Sequence, residues 1–331
     1  MTPYKSRMWA SMAAVVIGLV LAVAGLLLID RPDMYLWLVA ATAFVLTGAV
    51  GFLMGRSNPA FSMGSLVGAE LILLYTLTPL AWLVSLSLKN GNADINQGGF
   101  LPADPSFVNY RTVFSFDLFQ RALINSFGIA AIATTISVVL ATFTAYAIAR
   151  LDFRGKRFVL SLALAIAMFP VVALVGPLFD MWRTFGIYDT WIGLIIPYLS
   201  FTLPMSIWVL SAFFREIPWE MEQAAQVDGA TTWQAFRKVI VPLAAPGVFT
   251  AAIITFFFAW NDFVFGISLS STTRSLPVPA SLAFFTGASQ FDTPTAAIAA
   301  ASVVVTVPIF ILVLLFQRKI VAGLTSGAVK G

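Results

Sequence analysis

Cysteine and histidine are both absent from this chain of 331 residues. Their absence removes disulfides, thiolate nucleophiles, imidazole bases and the usual zinc ligands together. No G-x-x-x-x-G-K-[ST] sequence occurs either. Gly155-Lys156 lacks the upstream glycine at the required spacing, so the chain has no P-loop to hold ATP phosphates. Charge is scarce as well: 10% of the residues are charged, against about 25% in an ordinary soluble domain. The expectation is a chain with no catalytic residue, no cofactor site and no metal site of its own.

What is present is apolar surface in long runs. Sixty per cent of the residues are apolar and the mean hydropathy is +0.92. A helix needs about 20 apolar residues to cross a hydrocarbon core. Eight stretches qualify: Trp9–Ile29, Leu36–Met54, Leu66–Leu88, Leu123–Ala149, Phe158–Phe179, Ile192–Phe214, Pro246–Leu269 and Ala296–Phe316. Lipid cannot satisfy backbone amides, so runs of this length must be helical. The fold class is therefore all-α and polytopic. Lys5 and Arg7 precede the first run as they would in a cleaved signal. The length of that run and the Asp30-Arg31-Pro32-Asp33 sequence after it favour a retained anchor.

A net charge of +4 and a pI near 9.5 invite a nucleic-acid reading, but the distribution of the charge argues otherwise. With a cytoplasmic N-terminus and eight crossings, the inner segments hold Lys5, Arg7, Arg56, Arg150, Arg154, Lys156, Arg157, Arg215, Arg237, Lys238, Arg318, Lys319 and Lys330. The outer segments hold Arg31, Lys89, Arg111, Arg121, Arg183 and Arg274, a split of 13 to 6 that obeys the positive-inside rule. Both termini are then cytoplasmic. Lys89–Ala122 becomes a long external loop, and the longest internal loop covers 215–243.

That inner loop has internal structure. Pro218 suits the start of a helix, and Glu220 and Glu222 complement its dipole. Met221, Ala224 and Ala225 lie at helical spacing on one face. Asp228-Gly229 interrupts the pattern, because glycine takes the backbone angles that end a helix. Thr231 with Gln234 makes a capping box for a second helix carrying Trp233, Phe236 and Ile240 on one face, with Pro242 as its stop. Two short helices meet at a glycine elbow and offer apolar residues to a partner. From these residues alone, a loop lying on the membrane surface fits as well.

This segment resembles the EAA loop of ABC-importer permeases through Ala224, Ala225, Asp228, Gly229, Ala230, Val239 to Val241 and Pro242. The pattern's glutamate position is Gln223, with Glu222 just before it, which leaves a hydrogen bond rather than an ion pair at that place. The likeness runs from about Leu66 to Gly331 and is nearest to the MalG-type permeases of carbohydrate importers. Its other carriers are Asn109-Tyr110-Arg111, Trp260-Asn261-Asp262 and the tail Gly323–Gly331. Ser211–Trp219 and Gln317–Gly331 look most like the trehalose-importing members. The resemblance implies a permease domain over 63–331, a six-helix core; the first two spans, a two-helix extension over 1–62, lie outside the likeness and either brace the periphery or contact a partner. The resemblance also implies a multi-pass place in the plasma membrane and import of a disaccharide or oligosaccharide such as trehalose or maltose. The implied partners are a second homologous permease, two P-loop ATPase subunits that bind ATP and Mg, and an extracytoplasmic sugar-binding lipoprotein. Glu222, Gln223, Ala224, Ala225, Asp228, Gly229, Ala230, Phe236 and Pro242 would couple this chain to the ATPase.

Polar residues inside the apolar runs are the remaining candidates. Asn261 and Asp262, beside Trp260, sit where charge is costly. They either line a sugar path, offering acceptors to hydroxyl groups, or hold helices together or lie near the outer interface. Gln290, with Asp292, lies in an outer segment that in MalG-type permeases reaches toward the bound sugar-binding protein; a plain connector is the alternative. Glu70 lies near a span end, can snorkel, and is assigned no role. An ion-coupled secondary transporter would need more intramembrane ionisable groups than Asp262 and Glu70 supply. A membrane-embedded enzyme would need paired carboxylates that do not occur.

Overall fold

The structure is a computed structural model and describes residues 63–90, 95, 99–102, 104–285 and 294–326. The first two apolar runs, Gln290 and the last five residues lie outside the described residues. The expectations of eight spans and of two cytoplasmic termini fall there with them. Among the described residues every regular element is helical. The chain divides into two units, residues 1–115 with 286–304 and residues 116–285 with 305–331.

The first unit contains α1 (Met63–Ser87) and α2 (Val108–Ser115). A helix end leaves its last carbonyls without partners. The buried amide of Asn109 meets that need at the end of α1, donating to the carbonyls of Ser87 at 3.0 Å and Lys89 at 2.7 Å. The Tyr110 hydroxyl lies 2.7 Å from Ser87 Oγ. Lys89, expected in an external loop, has its whole side chain buried. Its ammonium donates to the Gly99 carbonyl at 2.9 Å and rests 5.3 Å from the Trp82 ring centre, which compensates the charge.

The second unit is built around three packed helices, α3 (Asp117–Arg150), α6 (Trp191–Glu216) and, later in the chain, α10 (Ala245–Asn261). Helix α3 has 34 residues and so runs about 51 Å, well beyond a hydrocarbon core of about 30 Å. It starts six residues before the apolar run predicted for it, because Asp117 favours the helix N-terminus and pairs with Arg121 at 3.5 Å. Its buried face is a ladder of small residues, Ala130, Ala133, Ser137, Ala141 and Ala145, which lets neighbouring backbones approach closely. Buried hydroxyls tie the three helices together: Ser137 Oγ lies 3.4 Å from Ser206 Oγ, which lies 2.8 Å from Thr255 Oγ1.

Two runs expected to be single spans are broken. Phe158–Phe179 divides into α4 (Lys156–Ala167) and α5 (Val171–Phe185), bent by 88°. Pro170 lacks an N–H and disfavours helical angles at Phe169, so the helix stops before it and α5 starts anew. Pro246–Leu269 divides at Asp262 and Phe263 into α10 and α11 (Val264–Leu269). By length and composition, three described helices can each cross a membrane, or up to five if each bent pair counts once.

Beyond α11, the segment 270–278 is held from three sides. Asp189 has a left-handed φ of 56°, and its carboxylate accepts from Ser271 N (3.0 Å), Thr272 N (3.2 Å), Thr272 Oγ1 (2.5 Å) and Ser275 Oγ (2.8 Å). Asn125 donates to the carbonyls of Thr273 and Leu276, and Trp191 Nε1 donates to Asn125 Oδ1 and the Arg274 carbonyl. Burial pushes the Asp189 carboxyl up, but the bonds from Thr272, Ser271 and Ser275 together outweigh it and hold it below the usual value. Its stabilising contribution is therefore complete above the ordinary carboxylate range, near pH 4, and disappears as pH falls through the lowered folded-state value. Asp189→Ala, which strands the buried Ser275 donor and its neighbours, should cost about 3 kcal/mol in thermal unfolding of the purified protein. The penalty should shrink as the assay is made acidic.

Candidate functional site

The loop 215–243 forms two legs joined at an elbow. The first leg is α7 (Trp219–Val227), preceded by Pro218 and carrying Glu220 and Glu222 in its first turn. At its end Gly229 takes a φ of +86°, and the Ala230 N–H donates back to the Ala225 carbonyl at 2.9 Å. This closes the helix as glycine allows. A Cβ at Gly229 would meet nothing within 4 Å, so a substitution there costs backbone strain alone. Gly229→Ala should lose about 1–2 kcal/mol of stability without disturbing any packing, a modest fall in melting temperature.

The second leg is α8 (Thr232–Ala235), opened by the expected capping box. Thr231 Oγ1 accepts from Gln234 N at 3.3 Å, and Gln234 Oε1 accepts from Thr231 N at 2.9 Å. A π-turn over Phe236–Ile240 and a short α9 (Val241–Leu243) follow. The leg ends at Leu243, one residue past Pro242, and the chain continues into α10 after a 69° bend.

Both legs are gripped by the last two turns of α3. Glu222 is 4% exposed, and its carboxylate accepts from the Tyr146 hydroxyl at 2.5 Å. Its other oxygen lies 3.8 Å from Arg150 Nε. Arg150 also donates from Nη2 to the Ile217 carbonyl at 2.6 Å, and its guanidinium lies 4.9 Å from the Trp219 ring centre. One arginine thus fixes the start of the first leg by charge, hydrogen bond and ring face together. The second leg is seated by aromatics. Phe236 is buried with ring centres of Tyr146 at 4.6 Å, Trp233 at 5.4 Å and Phe143 at 5.7 Å. Ile240 is fully buried among Ile148, Leu210 and Phe214.

The loop therefore has two chemically distinct sides. Glu222, Phe236 and Ile240 face inward; Ile240 and Phe236, expected to be available to a partner, are spent on the chain's own core. Met221, Gln223, Ala224, Val227, Asp228 and Trp233 are exposed, Val227 by 87%. Ala225 and Ala230 are half-buried, and Pro242 is exposed. Sequence reasoning missed Tyr146 and Arg150. Their four-residue spacing at the end of a long apolar helix was a visible signal, since it puts a phenol and a guanidinium on one face.

The intramembrane candidates separate. Trp260 is 2% exposed in the core, with no hydrogen bond to its indole N–H. Asn261 is exposed and donates to the Phe257 carbonyl at 2.9 Å. Asp262 occupies the break between α10 and α11, where its Oδ2 accepts from Gly266 N and from the Tyr198 hydroxyl, each at 3.0 Å. The carboxylate thus satisfies backbone freed by the break.

Residues 137–322 match the family described as binding-protein-dependent transport system inner membrane component. The chain is 56% identical over 261 residues to the trehalose transport system permease protein SugB of Mycobacterium tuberculosis, covering 79% of this chain and 95% of that protein. It is 34% identical over 268 residues to the trehalose/maltose transport system permease protein MalG of Thermococcus litoralis, covering 80% and 96%. Its fold resembles a chain in the crystal structure of a bacterial ABC transporter that imports the polysaccharide alginate. That match has a TM-score of 0.67 at 23% identity and covers 80% of this chain and 97% of the other. The chain, whose EAA-like loop is clamped by its own longest described helix, belongs to the family of binding-protein-dependent transport system inner membrane components.

Proposed function

We propose that this chain is a pore-forming permease subunit of an ATP-driven importer of a disaccharide or oligosaccharide, with trehalose and maltose the first substrates to test. Support comes from the two relatives, whose names give these sugars, and from the loop 215–243. The loop's division into a clamped inner side and an exposed apolar outer side carries the reading: it suits a lever that a partner pushes and α3 feels. In this reading the partners are a second homologous permease, two P-loop ATPase subunits that bind ATP and Mg, and an extracytoplasmic sugar-binding lipoprotein. Closure of the ATPase pair presses on Gln223, Ala224, Val227 and Trp233. The clamp at Tyr146 and Arg150 passes that movement to the span, and the core rocks between inward-open and outward-open forms. ATP drives this only through its different affinity for the two forms.

The test is gentle affinity purification from native membranes, followed by uptake of labelled trehalose and maltose into vesicles holding the whole assembly. A second permease, a P-loop ATPase and a binding protein at fixed stoichiometry, with uptake that needs ATP and survives an ionophore, is the expected result. A chain without companions, whose uptake collapses with the ion gradient, would instead mark an ion-coupled secondary transporter.

A further inference from the structure

Among the described residues of the second unit, two grooves differ in their chemistry. One, of about 490 Å³, is lined by side chains such as Phe249, Ile253 and Ile311, with Thr134 the one polar residue. Such a surface suits acyl chains or another apolar helix. The other consists of two adjoining hollows of about 220 and 100 Å³ that share Phe201 and Phe258. Trp208 lies toward one end of it, and Tyr198, Thr202 and Asp262 lie toward the other.

On α6, Tyr198, Phe201 and Trp208 fall three and then seven residues apart, so they share one face of the helix. Trp208 is 68% exposed and Phe258 53% exposed, although both sit in the middle of apolar runs. Exposure alone is compatible with lipid. The carboxylate is not, because an ionisable group at such depth faces protein interior or a water-filled cavity. Asp262 lines one hollow together with Phe258, and Phe258 also lines the hollow beside Trp208, so of the two grooves this is the one whose wall carries a group suited to water.

We propose that Trp208 and Phe258 are aromatic platforms of the sugar path, with Asp262 and the Tyr198 hydroxyl as the polar end of the same wall. A sugar ring presents a flat C–H face and a rim of hydroxyls. The C–H face covers the rings, the indole N–H donates to a ring or hydroxyl oxygen, and hydroxyls donate to the carboxylate. An apolar wall with a few placed polar groups is the usual makeup of a small-molecule site. The aromatic residue that counts is then Trp208 on α6, and the buried Trp260 is left to packing. The inference rests on the import reading above and adds to it which face of this chain the sugar touches.

The absence of cysteine makes the test clean. Trp208→Cys, Phe258→Cys and, as a control in the apolar groove, Ile311→Cys each place one thiol in this chain. The intact importer in membrane vesicles is exposed to a charged, water-soluble maleimide, and labelling is read on this chain's own band. The Trp208→Cys and Phe258→Cys thiols should label, and excess trehalose or maltose should slow that labelling, whereas the Ile311→Cys thiol should stay unlabelled. Trp208→Ala should lower uptake roughly tenfold, and Trp208→Phe should restore most of it. Thiols at 208 and 258 that do not label, or that label equally with and without sugar, would overturn the proposal in an importer whose unaltered form takes up that sugar. If the unaltered assembly takes up neither sugar with ATP, the import reading fails and the proposal falls with it.

Discussion

Glu222→Ala is expected to disconnect ATP hydrolysis from uptake: the assembled importer keeps hydrolysing ATP, but binding protein and sugar no longer stimulate it, and transport falls close to background. The reason is local. Glu222 is buried, and its carboxylate is the acceptor for Tyr146 and the counter-charge for Arg150. Removing it leaves a buried guanidinium without its anion, which costs about 3–5 kcal/mol, most of it the penalty of the stranded charge. Arg150 then relaxes away, and its grip on Ile217 and Trp219 loosens. Tyr146 loses its acceptor, but the Trp233 and Phe143 rings still pack on Phe236, so the second leg stays docked while the first swings free. A loop attached by one leg still meets its partner but transmits little of the partner's stroke. Glu222→Gln keeps an acceptor for Tyr146 and should be milder. Arg150→Met combined with Glu222→Ala removes both charges and should recover part of the thermal stability without recovering coupling. Equal stimulation of ATPase activity in Glu222→Ala and the unaltered importer would show that the buried pair is packing alone.

The sequence showed where helices run and concealed where they break. Ile192–Phe214 was legible because its apolar run matches the observed Trp191–Glu216 within two residues at each end. The capping box at Thr231 and the elbow at Gly229 were legible because each is a local rule satisfied within three residues. The 88° break at Pro170 was not, since proline alone does not decide the matter: Pro197 and Pro204 lie inside α6 without ending it. In a membrane, neighbouring helices satisfy the carbonyls that a proline frees, so interruption depends on surroundings that sequence does not display. The clamp was hidden for another reason, because Tyr146 and Glu222 are 76 residues apart. An exposed Trp208 and a buried Trp260 also look alike in a hydropathy profile, since lipid, protein core and sugar path all accept an aromatic ring.

The second large effect is expected at Gly247, where even a methyl group should weaken the fold and a leucine should prevent assembly. Gly247 is buried near the start of α10, and a Cβ there would overlap the ring of Phe213 on α6, with Phe213 Cβ itself only 2.8 Å away. Rotating the Phe213 ring relieves the ring overlap but cannot move its Cβ, so the two helix backbones must separate. Two terms compete in Gly247→Ala. Alanine gains up to about 1 kcal/mol over glycine inside a helix, and less in a first turn. Overpacking a tight contact costs about 1–3 kcal/mol, so sterics win. Gly176 supplies the comparison, because nothing lies within 4 Å of a Cβ there and Gly176→Ala should be neutral or slightly stabilising. Melting of the purified importer in detergent checks both, and assembly with its companions checks Gly247→Leu. The contact lies just past the 69° bend through which the second leg enters α10. Separating the helices there also changes the angle at which the loop's movement enters the span. Gly247→Ala should therefore lower transport more than its loss of stability alone accounts for, and a fall in transport merely proportional to the folded fraction would confine Gly247 to packing.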